Sequence, residues 1–159
     1  MLALLLACTG VTGDSGASDD SSIDSGSSDA GRLALRFEID PDWQAEMEEE
    51  PVGDFFGSFW NGDEVDNLGP MEGAESLFGC DTPGLDLRDG PTEVLFTSDE
   101  VAAGTEIVIL GFLDSDGNAT PGDEDPDAKD PVTLPHQNRF DVVGGETTEV
   151  TVFFGFLNP

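Results

Sequence analysis

The sequence predicts an all-β fold: an antiparallel β-sandwich of seven to eight short strands behind a disordered N-terminal tether. Three observations lead there. Apolar residues alternate or cluster in runs of strand length instead of recurring at helical spacing. Twenty glycines and ten prolines punctuate the spaces between those runs, as turns between strands require. The early stretch 9–31, TGVTGDSGASDDSSIDSGSSDAG, holds only Val11 and Ile23 as sizeable apolar side chains, too few to offset the entropy of ordering its backbone.

The folded part is expected over 32–159. Leu33, Leu35, Phe37 and Ile39 alternate with Ala34, Arg36, Glu38 and Asp40, the pattern of a half-buried strand. Asp40-Pro41-Asp42-Trp43 reads either as a helix start, of at most two turns before Pro51, or as a loop. Phe55 to Trp60 is a second strand, in which Gly57 marks a bulge or a close backbone approach. A short strand is placed at Ser76 to Phe78. Leu85 to Leu87 and Glu93 to Thr97 flank Arg88-Asp89-Gly90-Pro91, which predicts a hairpin. Glu106 to Leu113 is apolar on both faces and therefore central. Phe140 to Val143 and Thr148 to Leu157 flank Gly144-Gly145, a second hairpin signal, with Val150, Val152, Phe154 and Phe156 sharing a face.

The formal charge is −30, from 35 acids against Arg32, Arg36, Arg88, Lys129 and Arg139. Such a chain has no footprint for phosphate backbones, which excludes nucleic acid as a partner. Anionic headgroups would repel it, so any membrane attachment must be covalent or apolar. Self-repulsion on this scale favours surroundings rich in divalent cations, outside the cytoplasm.

Residues 1–8, MLALLLAC, form an apolar run leading through Leu5-Leu6-Ala7 into Cys8. This resembles a bacterial lipobox, whose cysteine is acylated and becomes the mature N-terminus. The run is shorter than a secretory signal and lacks a basic start, as a truncated gene start would leave it. The resemblance implies a lipid on Cys8, membrane attachment through it, and a place in the cell envelope, periplasmic or at the cell surface. Residues 9–31 would then be a spacer with an r.m.s. reach of ~25 Å. Cys80 is left as an unpaired thiol, expected to be buried as a small hydrophobe.

Val101-Ala102-Ala103-Gly104-Thr105 and the run ending Phe112-Leu113-Asp114-Ser115-Asp116-Gly117-Asn118 resemble bacterial prealbumin-like (transthyretin-type) sandwich domains, Ig-like in pattern. Val101, Gly104, Thr105, Phe112, Asp114 and Asn118 carry the likeness, and Glu106 stands where a tyrosine is common. The resemblance implies the fold and a closing hairpin over FDVVGGETTEVTVFF, and implies little about activity.

Seven carboxylates crowd the stretch after Leu113: Asp114, Asp116, Asp123, Glu124, Asp125, Asp127 and Asp130. Like charges about 5 Å apart repel by ~1 kcal/mol in water and more where the dielectric falls. A cation, a basic partner or full exposure would relieve them. Asp114, Asp116 and Asn118 place oxygens at alternate positions on a tight turn, with Asp123 or Asp125 to complete a hard-cation set. The spacing resembles the start of an EF-hand loop, but Ala119 replaces the glycine, Pro121 follows, and Asp125 is shorter than the usual glutamate. Calcium is the expected ion. Magnesium seldom uses all-protein cages, and zinc would want His or Cys ligands.

His136 has no serine or cysteine motif beside it, so no catalytic residue is assigned and the chain is read as non-enzymatic. Trp43 and Trp60 either pack within the fold or stack on sugar rings. Two readings result: a structural or interaction domain at the cell surface with a calcium-stabilised loop, or a carbohydrate- or peptidoglycan-binding module using the tryptophans. The partner is accordingly a cell-surface protein or a glycan.

Overall fold

In the computed structural model, which describes residues 29–44, 50–120 and 125–159, the domain is all-β. Its strands are β1 (Ala30–Ile39), β2 (Val52–Asn61), β3 (Phe78–Gly79), β4 (Thr82–Asp86), β5 (Phe96–Thr97), β6 (Val101–Ala102), β7 (Glu106–Asp114), β8 (Pro131–Thr133), β9 (Arg139–Asp141) and β10 (Thr147–Leu157). They form one sheet of ten strands with the order β3-β2-β7-β8-β10-β1-β5, while β4, β6 and β9 pair with β2, β1 and β7.

The sheet curls into a half-barrel. Strands β2 and β1 lie four places apart in the order, roughly 19 Å in a flat sheet at about 4.8 Å per strand. Yet the rings of Phe37 on β1 and Phe55 on β2 are 5.0 Å apart, and Phe55 meets Phe154 of β10 edge-on at 5.6 Å. Only a sheet folded back on itself brings them together. The alternating residues Leu33, Leu35, Phe37 and Ile39 line the concave side with Phe59, Ile107, Ile109, Leu113 and Val152. Each fully buried Phe or Leu contributes about 1.5–3 kcal/mol.

Gly57 and Gly111 are paired across β2 and β7. A Cβ on Gly57 would stand 2.3 Å from the Phe55 ring, and one on Gly111 would stand 2.7 Å from that ring and 2.3 Å from the Phe56 carbonyl oxygen. The two glycines are the floor on which the Phe55 ring lies. This is the close approach expected at Gly57.

Several expectations are corrected. The sheet is mixed, because β1 and β10 pair in parallel over eight residues, Arg32–Ile39 against Thr147–Phe154. Neither hairpin forms: β4 pairs with β2 and β5 with β1, while β9 pairs with β7 and β10 with β8 and β1. Glycine-rich turns mark where the chain reverses, and long-range burial decides which strand receives it. After Asp40 the described residues begin with a turn, whose Asp42 N–H donates to the Asp40 carboxylate at 2.9 Å; the rest of the segment read as a helix start or a loop, residues 45–49, lies outside the described residues. The pairing register of β10 with β8 shifts between Phe154 and Phe156. Phe156 consequently leaves the core face and packs edge-on against Trp43 at 5.7 Å.

The curl passes through β8, which is only three residues long, so side chains complete the ladder there. Thr133 Oγ1 accepts the Gly111 N–H at 2.8 Å. Buried Asn138 accepts the Phe153 N–H at 2.7 Å and donates to the carbonyls of Phe153 and Leu134. Asn138→Ala is expected to lower stability by roughly 2–4 kcal/mol, because a buried N–H and two carbonyls lose their partner. Urea unfolding measures this; a loss below ~1 kcal/mol would show that the seam does not depend on it.

Candidate functional site: an acidic loop beside an apolar groove

Strand β7 has two sides and an end. Its inner side joins the core, its outer side carries Val108, Leu110 and Phe112, and its C-terminus delivers Asp114 to the acidic loop. Asp114 is only 5 % exposed. One of its oxygens accepts the N–H groups of Gly117 (2.8 Å) and Asn118 (3.1 Å), and the other accepts that of Ala119 (3.1 Å). Gly117, at φ +75°, supplies the left-handed turn that points these donors inward. Charge-assisted bonds of this kind are the strong ones, and they compensate for withdrawing the carboxylate from water.

Asp130, 3 % exposed, plays the same part at the far end of the loop. It accepts the N–H of Asp127 at 3.1 Å and the N–H and hydroxyl of Ser115 at 3.3 and 3.4 Å. Burial raises its pKa, the backbone donors pull it down, and the carboxylates of Asp127 and Asp114 push it up again. Lys129 takes φ +84° just before it. Asn158 clamps this turn: its carbonyl accepts the Lys129 N–H at 2.7 Å, and its amide donates to the carbonyls of Pro126 and Asp127.

Asp116 and Asn118 are exposed. The Asn118 side-chain amide donates to Asp116 at 3.0 Å and also to Asp127. Asp125 is exposed beside the groove described below, and Asp123 lies outside the described residues. Among the described residues, no group of three or more His, Cys, Asp or Glu side chains is disposed to hold a metal ion. Sequence reasoning missed Asp130, Asp127 and Asn158 as the residues that fix the loop. Asp130 was visible only as one more acid, and nothing in the order of residues ties Asn158 to it.

The outer faces of β2, β7 and β8 form an open groove of about 670 Å³. Phe56 stacks on Phe112 at 5.5 Å in its floor, which continues through Trp60, Leu110, Val132 and Leu134. Ser58, Asn67, Asp81, Asp125, Thr133 and Asn158 supply its polar groups. Leu68 stands on the rim and is 96 % exposed. Of the two tryptophans, Trp60 lines the groove and Trp43 packs on Phe156.

His136 is exposed in the turn after β8. Cys80 is fully buried and unpaired. Burial pushes its thiol up to about 12, with the Asp81 carboxylate adding to the shift, so it stays protonated and inert at neutral pH. Cys8 and the spacer 9–31 lie outside the described residues.

Asp114→Ala should cost about 2–3 kcal/mol, as the N–H groups of Gly117 and Ala119 lose their acceptor and that of Asn118 keeps only Asp116 (3.1 Å), whereas Asp116→Ala, which leaves Asn118 its bond to Asp114, should cost less than ~1 kcal/mol. Equal losses in chemical denaturation would contradict the distinction. For Asp130 the pKa is raised on folding, so the folded state holds the proton more tightly. Its contribution is greatest below the ordinary carboxyl value and is lost as pH rises through the folded value. The melting temperature of the native chain minus that of Asp130→Asn should therefore grow as pH falls from 7 towards 4. A constant difference would contradict the assignment.

Comparison of the chain with protein-family models, with curated proteins and with solved structures returned no match.

Proposed function

We propose that the chain is a non-enzymatic interaction domain. It presents the outer face of β2, β7 and β8, with the loop beside it, to a partner. A lipid on Cys8 and the spacer 9–31 hold it at the cell envelope. The observation that carries this reading is the groove itself: a floor of half-buried Phe56, Trp60 and Leu110 over buried Phe112, rimmed by polar groups. Concave sites of this kind, mostly apolar with a few polar groups at the edge, are where ligands bind. The polar lining contains hydroxyls, amides and carboxylates and neither His nor Cys, an inventory suited to hydrogen bonding.

A calcium ion belongs to the same reading. The Asn118 amide lies where the carboxylates of Asp116 and Asp127 converge. Turning that amide over would present its oxygen, and the three side chains would then face a cation. Asp123 and Asp125 are the further donors along the chain. Asp114 already accepts three N–H groups, which leaves it roughly one lone-pair direction for an ion.

Trp60 in the groove favours a second reading, a glycan stacked on the aromatic floor. Trp43 has no part in it.

Thermal melts in calcium and in chelator test the ion. Saturation at about 100 times Kd adds ~2.7 kcal/mol, a shift of several degrees in this size class. Asp116→Asn with Asp127→Asn should abolish the shift. Identical melts of the native chain in both buffers would remove calcium from the proposal. Titration of tryptophan fluorescence with a panel of neutral oligosaccharides tests the second reading, since only a glycan module responds.

A further inference from the structure

Building on the reading of this face as a binding surface, we propose that the groove takes an extended, basic polypeptide segment in which Lys or Arg alternates with aliphatic or aromatic residues. Shape and charge both point there. The floor runs from Phe56 to Trp60 along β2, about 13 Å at strand rise, and spans three strands. That accommodates four or five residues of an extended chain, whose alternate side chains face the floor and the rim.

Charge then selects the sign. No Lys or Arg lines the groove, whereas Asp81 and Asp125 do. The arginines are committed elsewhere: Arg32 to Glu100, Arg36 to Glu149, Arg88 to Glu50 and Asp86, and Arg139 to Glu106. With a net charge of −30, an acidic ligand is repelled and a basic one is steered in. Trp60 and Phe56 line the groove, and aromatic rings attract an ammonium or guanidinium group. Leu68, almost wholly in water on the rim, gives an apolar side chain a lateral contact. The floor rewards apolar groups and the rim rewards cations, so a ligand with only one of these should bind poorly.

The test uses the full chain and a labelled peptide of about six residues, alternating Lys and Leu, read by fluorescence anisotropy at about 0.05 and 0.5 M salt. Comparators are a Lys-Gly peptide, a Glu-Leu peptide and a neutral oligosaccharide. Ser58→Lys places a charge in the groove, and Thr97→Lys places the same charge at an exposed position of β5, outside the groove lining. The Lys-Leu peptide should bind the native chain and Thr97→Lys within about threefold, and Ser58→Lys at least ~10-fold more weakly. Leu68→Gln, at a position too exposed to affect folding, should weaken it about threefold. The Lys-Gly peptide should bind at least ~10-fold more weakly than Lys-Leu, and Glu-Leu should not bind. Equal binding of Lys-Gly and Lys-Leu, or equal weakening by Ser58→Lys and Thr97→Lys, would reduce the effect to bulk charge and overturn the proposal. A neutral oligosaccharide binding in a Ser58→Lys-sensitive way, with no peptide binding, would keep the face as a binding surface and overturn this partner. Failure of every probe to bind would overturn the partner and the binding face together.

Discussion

One aromatic ring governs the architecture. Phe55 lies across Gly57 and Gly111 and meets Phe37 and Phe154, residues that a flat sheet would hold far apart. Closing the sheet around that ring dries its concave side and turns the outer side of β2, β7 and β8 towards water. Because the curl passes through short β8, the ladder there relies on Thr133 and Asn138 side chains. The groove and the acidic loop both follow from this bend: the groove is its convex face, and the loop joins β7 to β8 at its edge.

Electrostatics shapes the loop by a division of labour. A chain with 35 acids and five bases cannot neutralise itself by ion pairs, and exposed pairs contribute only ~0–1 kcal/mol each. Here two carboxylates, Asp114 and Asp130, are withdrawn from water and used as acceptors for backbone N–H groups. They act as internal turn formers. Asp116, Asp125 and Asp127 stay exposed, where water, a cation or a basic ligand can meet them. Crowded acids in this loop therefore serve two ends: some hold the backbone and others face outward.

The sequence made the long strands legible. Strict alternation located β1, the two-sided apolar run located β7 near the sheet's centre, and the FFGSFW run located β2. Pairing was not legible. Gly90-Pro91 and Gly144-Gly145 reverse the chain, but the strands on either side find partners far away, and the parallel match of β1 with β10 joins residues over a hundred positions apart. Within the site, Asp114 was recognisable from the Asp-Ser-Asp-Gly-Asn turn. Its role was ambiguous because the same oxygens can serve an ion or the backbone. The groove was written in the outward residues Phe56, Trp60 and Leu110, which are half-buried beside covered Val108 and Phe112, and a strand apolar on both faces does not say which of its outward residues stay partly open.

Ring contacts across the bend are accessible to NMR in a sample with selectively labelled phenylalanines. A closed curl predicts strong nuclear Overhauser effects between the ring protons of Phe55 and those of both Phe37 and Phe154, at centroid separations of 5.0 and 5.6 Å. A well-dispersed spectrum of the folded chain without those cross-peaks would contradict the curl, and with it the convex groove.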